Sequence, residues 1–240
     1  MNYSINLKGK ILSFEKARIM GVINVTDDSF YSGSRFIDNK DLLKEVDQMV
    51  RDGVDIIDIG GYSSRPGAED ISEKEEIRRI TKPIESIKSK FPDLIVSIDT
   101  FRSNVLQAAH NAGVDICNDI SGGSLDDNMF DKISELKIPY ILMHMKGSPQ
   151  NMKVLSNYED ILLEMTKYFR DKIFDLNEKG IFDIILDPGF GFAKNINQNF
   201  YLLKNLESFG LFDLPILVGI SRKSMIYKSL EIDPENSLNG

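Results

Sequence analysis

The chain has 240 residues, with 37 Asp and Glu against 29 Lys and Arg, a net charge of −8. That balance argues against a dedicated nucleic-acid binder, which needs a basic field, but leaves room for an anionic small substrate held by local Arg and Lys. One cysteine, Cys117, cannot close an internal disulfide, which fits a reducing compartment.

The first residues, 3 to 18, alternate polar and apolar around "LKGK" and read as a short hairpin. They lack the apolar core of a signal peptide, and no stretch of the chain approaches a membrane span. A cytoplasmic enzyme or binding protein is expected.

Seven apolar, β-branched runs then follow: "RIMGVIN", "VDIIDIG", "LIVSIDT", "VDICNDI", "PYILMHM", "DIILDPG" and "PILVGIS". They are nearly continuous in hydrophobicity, as strands covered on both faces are. Helical stripes separate most of them. Leu42, Val46, Met49 and Val50 form one, ended by Gly53. Ser72 to Glu75 resembles a capping box ahead of Ile77, Ile80, Ile84 and Ile87, with Pro83 expected to kink or stop that helix. Val105, Ala109 and Ala112 repeat before Gly113. Ile161, Met165, Phe169, Ile173 and Leu176 make a longer stripe closed by Gly180. Strands alternating with helices imply an α/β fold with a parallel sheet. Seven strands without a second domain favour one TIM-type (β/α)8 barrel over residues 1–240, its bottom closed by the hairpin.

Polar residues follow the runs: Asn24, Gly60 and Gly61, Asp99, Asn118 and Asp119, His144, Asp187, then Ser221, Arg222 and Lys223. In a parallel barrel these ends gather at the C-terminal mouth, where barrel enzymes place their chemistry. Any one of them could merely cap the next helix. The set, with its carboxylates and cationic pair, argues for a site. Asp187 can accept two N–H groups side by side, which suits an amidine-like ring edge. Asn118 offers a donor and an acceptor, and Lys223 a mobile cation. Phe190 and Phe192 could wall the ring or simply pack in the core. The loops "NVTDDSFYSGSRF" and "GGYSSRPGAED" carry Gly, Ser and Arg65, as a mobile flap over an anion would. His144 could face the mouth, and His110 is expected at the surface. The two are not spaced as a metal pair, so a zinc site is not expected. Cys117 reads as a small core residue.

The ordered segments "IMGVINVTDDSF", "DIIDIGGYSSRPGA", "VSIDTFRSNV", "DICNDISGG", "LMHMKGSPQNM", "IILDPGFGFAKNINQN" and "PILVGISRKSMI" resemble the successive signatures of the dihydropteroate synthase family. A piece such as DPG is weak alone, but the ordered set is specific. The resemblance implies a transferase of folate biosynthesis and a target of sulfonamides. It would join 7,8-dihydropterin-6-ylmethyl diphosphate to 4-aminobenzoate, giving dihydropteroate and diphosphate. It implies that Asp99, Asn118, Asp187 and Lys223 hold the pterin, with Asp99, Asp187 and Lys223 closest to the chemistry. Asn24 would bind Mg²⁺ attached to the diphosphate, and Arg65 would help with the anion. Phe30, Ser64, Pro66 and Ser221 would line the aminobenzoate side, flanked by Arg222. Met143 and Phe192 complete the implied substrate-binding set.

Three departures from the family pattern stand out. Asp27 replaces a usual Pro, loosening the first loop and adding charge near a diphosphate. Ser64 replaces a common Thr. The family continues beyond "SLNG" with a helix, an eighth strand bearing Arg-x-His and a last helix. The expectation is therefore a C-terminally incomplete barrel. The gene is expected to continue for roughly 30–40 residues, by usual element lengths, and the longer form to pair as a homodimer through those helices. Two other readings share features with this one. A pterin-dependent methyltransferase domain would use similar Asp and Asn groups but would not need the "SSRPGA" and "SRK" loops. A non-catalytic paralogue would accommodate Asp27 and the missing end.

Overall fold

The computed structural model describes residues 3–25, 39–63 and 70–237. The expected hairpin is present: β1 (Ser4–Leu7) pairs antiparallel with β2 (Lys10–Ser13), Leu7 opposite Lys10. Lys8 and Gly9 form the turn with φ of 51° and 90°, the left-handed pair that a two-residue hairpin turn requires. Ile5 and Leu12 are buried against Ile56, Ile116, Ile141 and Ile185, which lie at or near the starts of four later strands. The hairpin thus closes the N-terminal end of the sheet. Two polar bonds fix it there, from Asn6 N–H to Asp183 Oδ1 at 2.7 Å and from Lys8 Nζ to Val114 O at 2.8 Å.

Six parallel strands follow in sequence order: β3 (Met20–Asn24), β4 (Ile56–Gly60), β5 (Ile95–Asp99), β6 (Ile116–Asp119), β7 (Tyr140–Met143) and β8 (Ile184–Asp187). The helices α1 (Asn39–Arg51), α2 (Glu73–Lys90), α3 (Ser103–Ala112), α4 (Met129–Leu136), α5 (Ile161–Glu178) and α6 (Ile196–Lys204) alternate with them, and α7 (Ser224–Tyr227) is one turn. Each strand alternates its faces. Ile57, Ile59, Val96, Ile98, Cys117, Leu142, Ile184 and Leu186 point outward and pack with Val46, Ile80, Ile84, Val105, Ile133, Met165 and Phe169 of the helices. Burying each such side chain contributes about 1.5–3 kcal/mol. The intervening residues, among them Asp58, Ser97, Asp99, Asn118, Met143 and Asp187, face the barrel interior.

The seventh predicted strand is weaker than its sequence suggests. Segment 215–217 pairs with β8 through a single parallel bridge, Leu186 to Ile216, made by Leu186 N–H to Pro215 O at 2.9 Å and Leu217 N–H to Leu186 O at 2.8 Å. Among the described residues β8 is its one strand partner, so the ladder does not extend.

Pro83 does not stop α2, so of the kink or early end expected from the sequence the early end is excluded; the helix is continuous to Lys90. Ile80, Ile84 and Ile87 are fully buried on both sides of the proline and hold both halves against the sheet. The expected capping box is half made. Ser72 Oγ accepts from Glu75 N–H, but the Glu75 carboxylate turns to Arg78 and Arg79 instead of reaching back. On the inner side of α2, Glu76 is fully buried and accepts from Thr100 Oγ1 and Arg102 Nη1, each at 2.8 Å.

Candidate active site

Strand register brings the first four strand ends level. Asn24 lies opposite Gly60, Gly60 opposite Asp99, and Asp99 opposite Asn118. Gly60 keeps this row tight: a Cβ there would stand 3.3 Å from Asn24 Oδ1 and 3.6 Å from Asp99 Oδ2. Asp58 faces inward one layer deeper, and its Oδ2 accepts from Asn118 Nδ2 at 2.9 Å. That bond turns Asn118 Oδ1 into an acceptor with no protein partner. A buried polar atom of this kind is costly unless a ligand satisfies it. Ser97 lies opposite Asp58 in register, and its hydroxyl, with the Asn118 amide, opposes the rise that burial imposes on the Asp58 carboxyl. Burial, then the negative charges of Asp58, Glu76 and Asp119, push the Asp99 carboxyl well above its ordinary range, while Lys223 opposes them.

Across the sheet, β8 delivers Asp187 to the same mouth, 7% exposed, and Gly189 N–H bonds its Oδ1 at 2.7 Å. The turn needs glycine here. Gly189 has φ +67°, and a Cβ would meet His144 O at 2.3 Å. Gly189→Ala is expected to lower stability by about 2 kcal/mol, from left-handed strain plus the clash, and to weaken pterin binding by displacing Asp187. Urea unfolding and calorimetry check both, and an alanine variant of wild-type stability would refute the close packing. Lys223 Nζ sits 4.4 Å over the Phe192 ring, and Gly191 leaves room for it, a Cβ there lying 3.2 Å from Lys223 Cδ. Burial lowers the Lys223 ammonium from its usual range, and the carboxylates of Asp187 and Asp99 oppose that.

Two carboxylates, an amide acceptor and a cation beside an aromatic face can read a flat, nitrogen-rich ring from its edge. The comparisons agree with that chemistry. The sequence pattern of the family described as "Pterin binding enzyme" matches residues 20–238. Dihydropteroate synthase of Escherichia coli K12 is 38% identical over 235 residues, 97% of this chain and 83% of its own length. The chain belongs to the dihydropteroate synthase family of pterin-binding transferases. Two solved structures of the family superpose closely. The Yersinia pestis dihydropteroate synthase, in a sulfonamide drug complex, has a TM-score of 0.92 at 35% identity, covering 99% of this chain and 86% of its own. The Xanthomonas albilineans enzyme, with 4-aminobenzoic acid, has a TM-score of 0.91 at 32% identity, covering 100% and 86%.

Of the residues that the resemblance to dihydropteroate synthase singled out, Asn24, Asp99, Asn118, Met143, Asp187, Phe192 and Lys223 gather at the mouth. Ser221 and Arg222 are exposed at the end of segment seven. Asp27, Phe30, Ser64, Arg65 and Pro66 lie outside the described residues. Two expectations are corrected. His144 does not face the mouth. It follows the inward-facing Met143, so alternation turns it outward, where it is 3% exposed among Tyr158, Tyr168 and Phe169. Burial first, then the Lys194 and Lys146 charges, hold it neutral, well below the usual histidine range. Phe190 is core, 1% exposed, and only Phe192 walls the site. His110 lies on α3, as expected, and is partly exposed at the surface. Cys117 is buried as expected. Asp119, the outward neighbour of Asn118, is structural: it accepts from Ser121 N–H, Gly123 N–H and the Tyr140 hydroxyl at 2.7–2.9 Å.

Sequence reasoning missed Asp58, Ser97 and Lys194. The first two had a signal. A polar residue two positions before a strand-end site residue, inside an apolar run, shares its inward face. Lys194 had none, because only the folded turn shows where a flexible side chain ends.

Among the described residues no group of three His, Cys, Asp or Glu could hold a metal ion. Asn24 offers one amide oxygen. That donor set does not make a protein cage, but it suits a Mg²⁺ that keeps its waters and arrives on a diphosphate. No helix among the described residues is long and apolar enough to cross a membrane.

Proposed function

We propose that this mouth condenses 7,8-dihydropterin-6-ylmethyl diphosphate with 4-aminobenzoate to give 7,8-dihydropteroate and diphosphate. The observation that carries the reading is the gathering of Asp99, Asn118, Asp187 and Lys223 at one end of the sheet, with Asn118 Oδ1 buried there without a protein partner. Asp187 takes the 2-amino and N3 edge of the pterin as a paired acceptor. Asn118 Oδ1, oriented by Asp58, accepts from the same ring system. Lys223 serves the carbonyl side while resting on Phe192. A bound Mg²⁺, held on the diphosphate by Asn24, would neutralise charge on the leaving group. The chain's own contribution is to orient the ring so that its exocyclic carbon is presented to the aryl amine, which attacks as the C–O bond to the diphosphate breaks. The electron-rich pterin can carry the developing positive charge, so no protein nucleophile is required. Arg65 helps to bind the diphosphate, and Phe30, Ser64, Pro66, Ser221 and Arg222 hold the aminobenzoate. Function in the cytoplasm, with the longer form pairing as a homodimer, belongs to the same reading.

The deciding assay is diphosphate release from the pterin substrate. Release is expected to require both Mg²⁺ and 4-aminobenzoate and to match dihydropteroate formed one to one. Release without 4-aminobenzoate, or pterin binding with no turnover, would overturn the reading.

The pH dependence follows from Asp187. Burial raises its carboxyl to about 6, with the Gly189 N–H, Lys223 and Lys194 opposing. The ring edge donates two N–H groups, so only the ionised carboxylate accepts both. Pterin affinity is expected to hold above pH 6 and to fall about tenfold per pH unit below it, by single-proton linkage. Calorimetry between pH 5 and 7.5 checks this, and a flat profile would exclude an Asp187 titration.

A further inference from the structure

The turn after β8 has left-handed backbone at every second position: Gly189, Gly191 and Ala193, with φ of 67°, 82° and 48°. This alternation swings its carbonyls inward onto one atom. Lys194 Nζ donates to His144 O at 3.1 Å, Gly189 O at 3.0 Å and Phe192 O at 2.9 Å, and the residue is 8% exposed. Three acceptors match the three donors of an ammonium, and a neutral amine has one fewer. The same turn is held from outside by Asn199 Oδ1, which accepts from Gly191 N–H, and by the Tyr158 hydroxyl, which donates to Ala193 O. Gly189 N–H holds Asp187, and Phe192 carries Lys223. The turn that Lys194 fills therefore carries both the N–H that holds Asp187 and the ring beneath Lys223.

We propose that Lys194 is a positioning residue for pterin capture: the 189–194 turn wraps its ammonium and sets that charge behind Asp187, where it favours the ionised carboxylate. The inference rests on the reading of Asp187 as the pterin acceptor. The charges facing this pair are few. Asp187 sees Lys223, Lys194 and Asp58. Lys194 sees Asp187, Lys223 and Lys146, and His144 beside it is neutral. Lys223 sees Asp187 and Asp99. Burial draws the Lys194 ammonium down to about 7, while Asp187 draws it up. An ionised Asp187 and a charged Lys194 therefore support one another.

The test is calorimetry of 6-hydroxymethylpterin binding between pH 5.0 and 7.5, with steady-state kinetics on the same proteins. In Lys194→Gln, which keeps a donor but loses the charge, the pH at which binding falls off is expected to rise by about one unit, a typical effect of removing one neighbouring cation. Kd then weakens roughly tenfold below pH 6 and less than about twofold at pH 7.5. KM for the pterin substrate should follow the same curve, while KM for 4-aminobenzoate and kcat at pH 7.5 stay within about twofold. Lys194→Arg keeps the charge and is expected to keep the wild-type profile. A shifted profile there overturns the proposal even if the Gln variant does not fold. A Gln variant with the wild-type profile, or one weakened equally at every pH, also overturns it, since a merely structural strut moves no titration. Asp187→Asn separates the two ideas. If it leaves pterin binding unchanged, the site reading fails. If it abolishes the pH dependence while Lys194→Gln behaves as wild type, only the role of Lys194 falls.

Discussion

Asp187→Asn is expected to weaken binding of a pterin analogue by about 3 kcal/mol, on the order of a hundredfold in Kd. One carboxylate oxygen is already engaged by Gly189 N–H. The asparagine must turn its amide NH2 either to that N–H or to the ring edge, and both are donors. One buried donor is left without an acceptor whichever way it turns, and the charge that strengthened the pair is gone. The same variant should not unfold the protein. Burial raises the Asp187 carboxyl to about 6 from a usual 3.8, so the ionised group favours the unfolded chain as pH rises from 4 through 6. At pH 7 the free Asn variant is expected to be at least as stable as wild type. Calorimetry and thermal melts on one preparation test both halves. Unchanged affinity would remove Asp187 from the site, and a large loss of melting temperature would make it a structural group.

Arg102→Ala is expected to cost about 3–5 kcal/mol of stability at pH 7, the usual effect of stripping a buried charge of its partner. Arg102 Nη1 bonds the fully buried Glu76, Nη2 reaches Asp70 Oδ1 at 3.3 Å, and its guanidinium lies 5.2 Å from the Tyr62 ring centre and 5.1 Å from that of Phe101. Burial already raises the Glu76 carboxyl, and Thr100 and Arg102 hold it down. Without Arg102 the carboxyl climbs further. A group with a raised folded value contributes most below its unfolded value and loses that contribution as pH rises through the folded one. The deficit should therefore shrink on going from pH 7 to pH 5. Urea unfolding at both values measures it. Arg102→Met with Glu76→Leu should recover most of the loss, because the charge that needed a partner is gone. A deficit below about 1 kcal/mol for the single variant would show that water reaches Glu76.

The architecture was legible in the sequence because its cause is local. A strand covered on both faces must be apolar along its length, and seven such runs between helical stripes leave little besides a barrel. The strand-end residues Asn24, Asp99, Asn118 and Asp187 were legible for a related reason: parallel strands put their ends on one side whatever their packing. Which of two adjacent residues faces inward was not legible. Met143 and His144, or Asn118 and Asp119, are exchanged by a shift of one residue, and only hydrogen-bonded register with the neighbouring strands fixes that. The tertiary structure also decided between Phe190 in the core and Phe192 under Lys223. It carried α2 through Pro83, because three buried isoleucines outweigh one missing helical bond. It gave Lys194 its place, because a long side chain goes where converging carbonyls and a nearby carboxylate outweigh its freedom in water, and those groups meet only after β7 and β8 have paired.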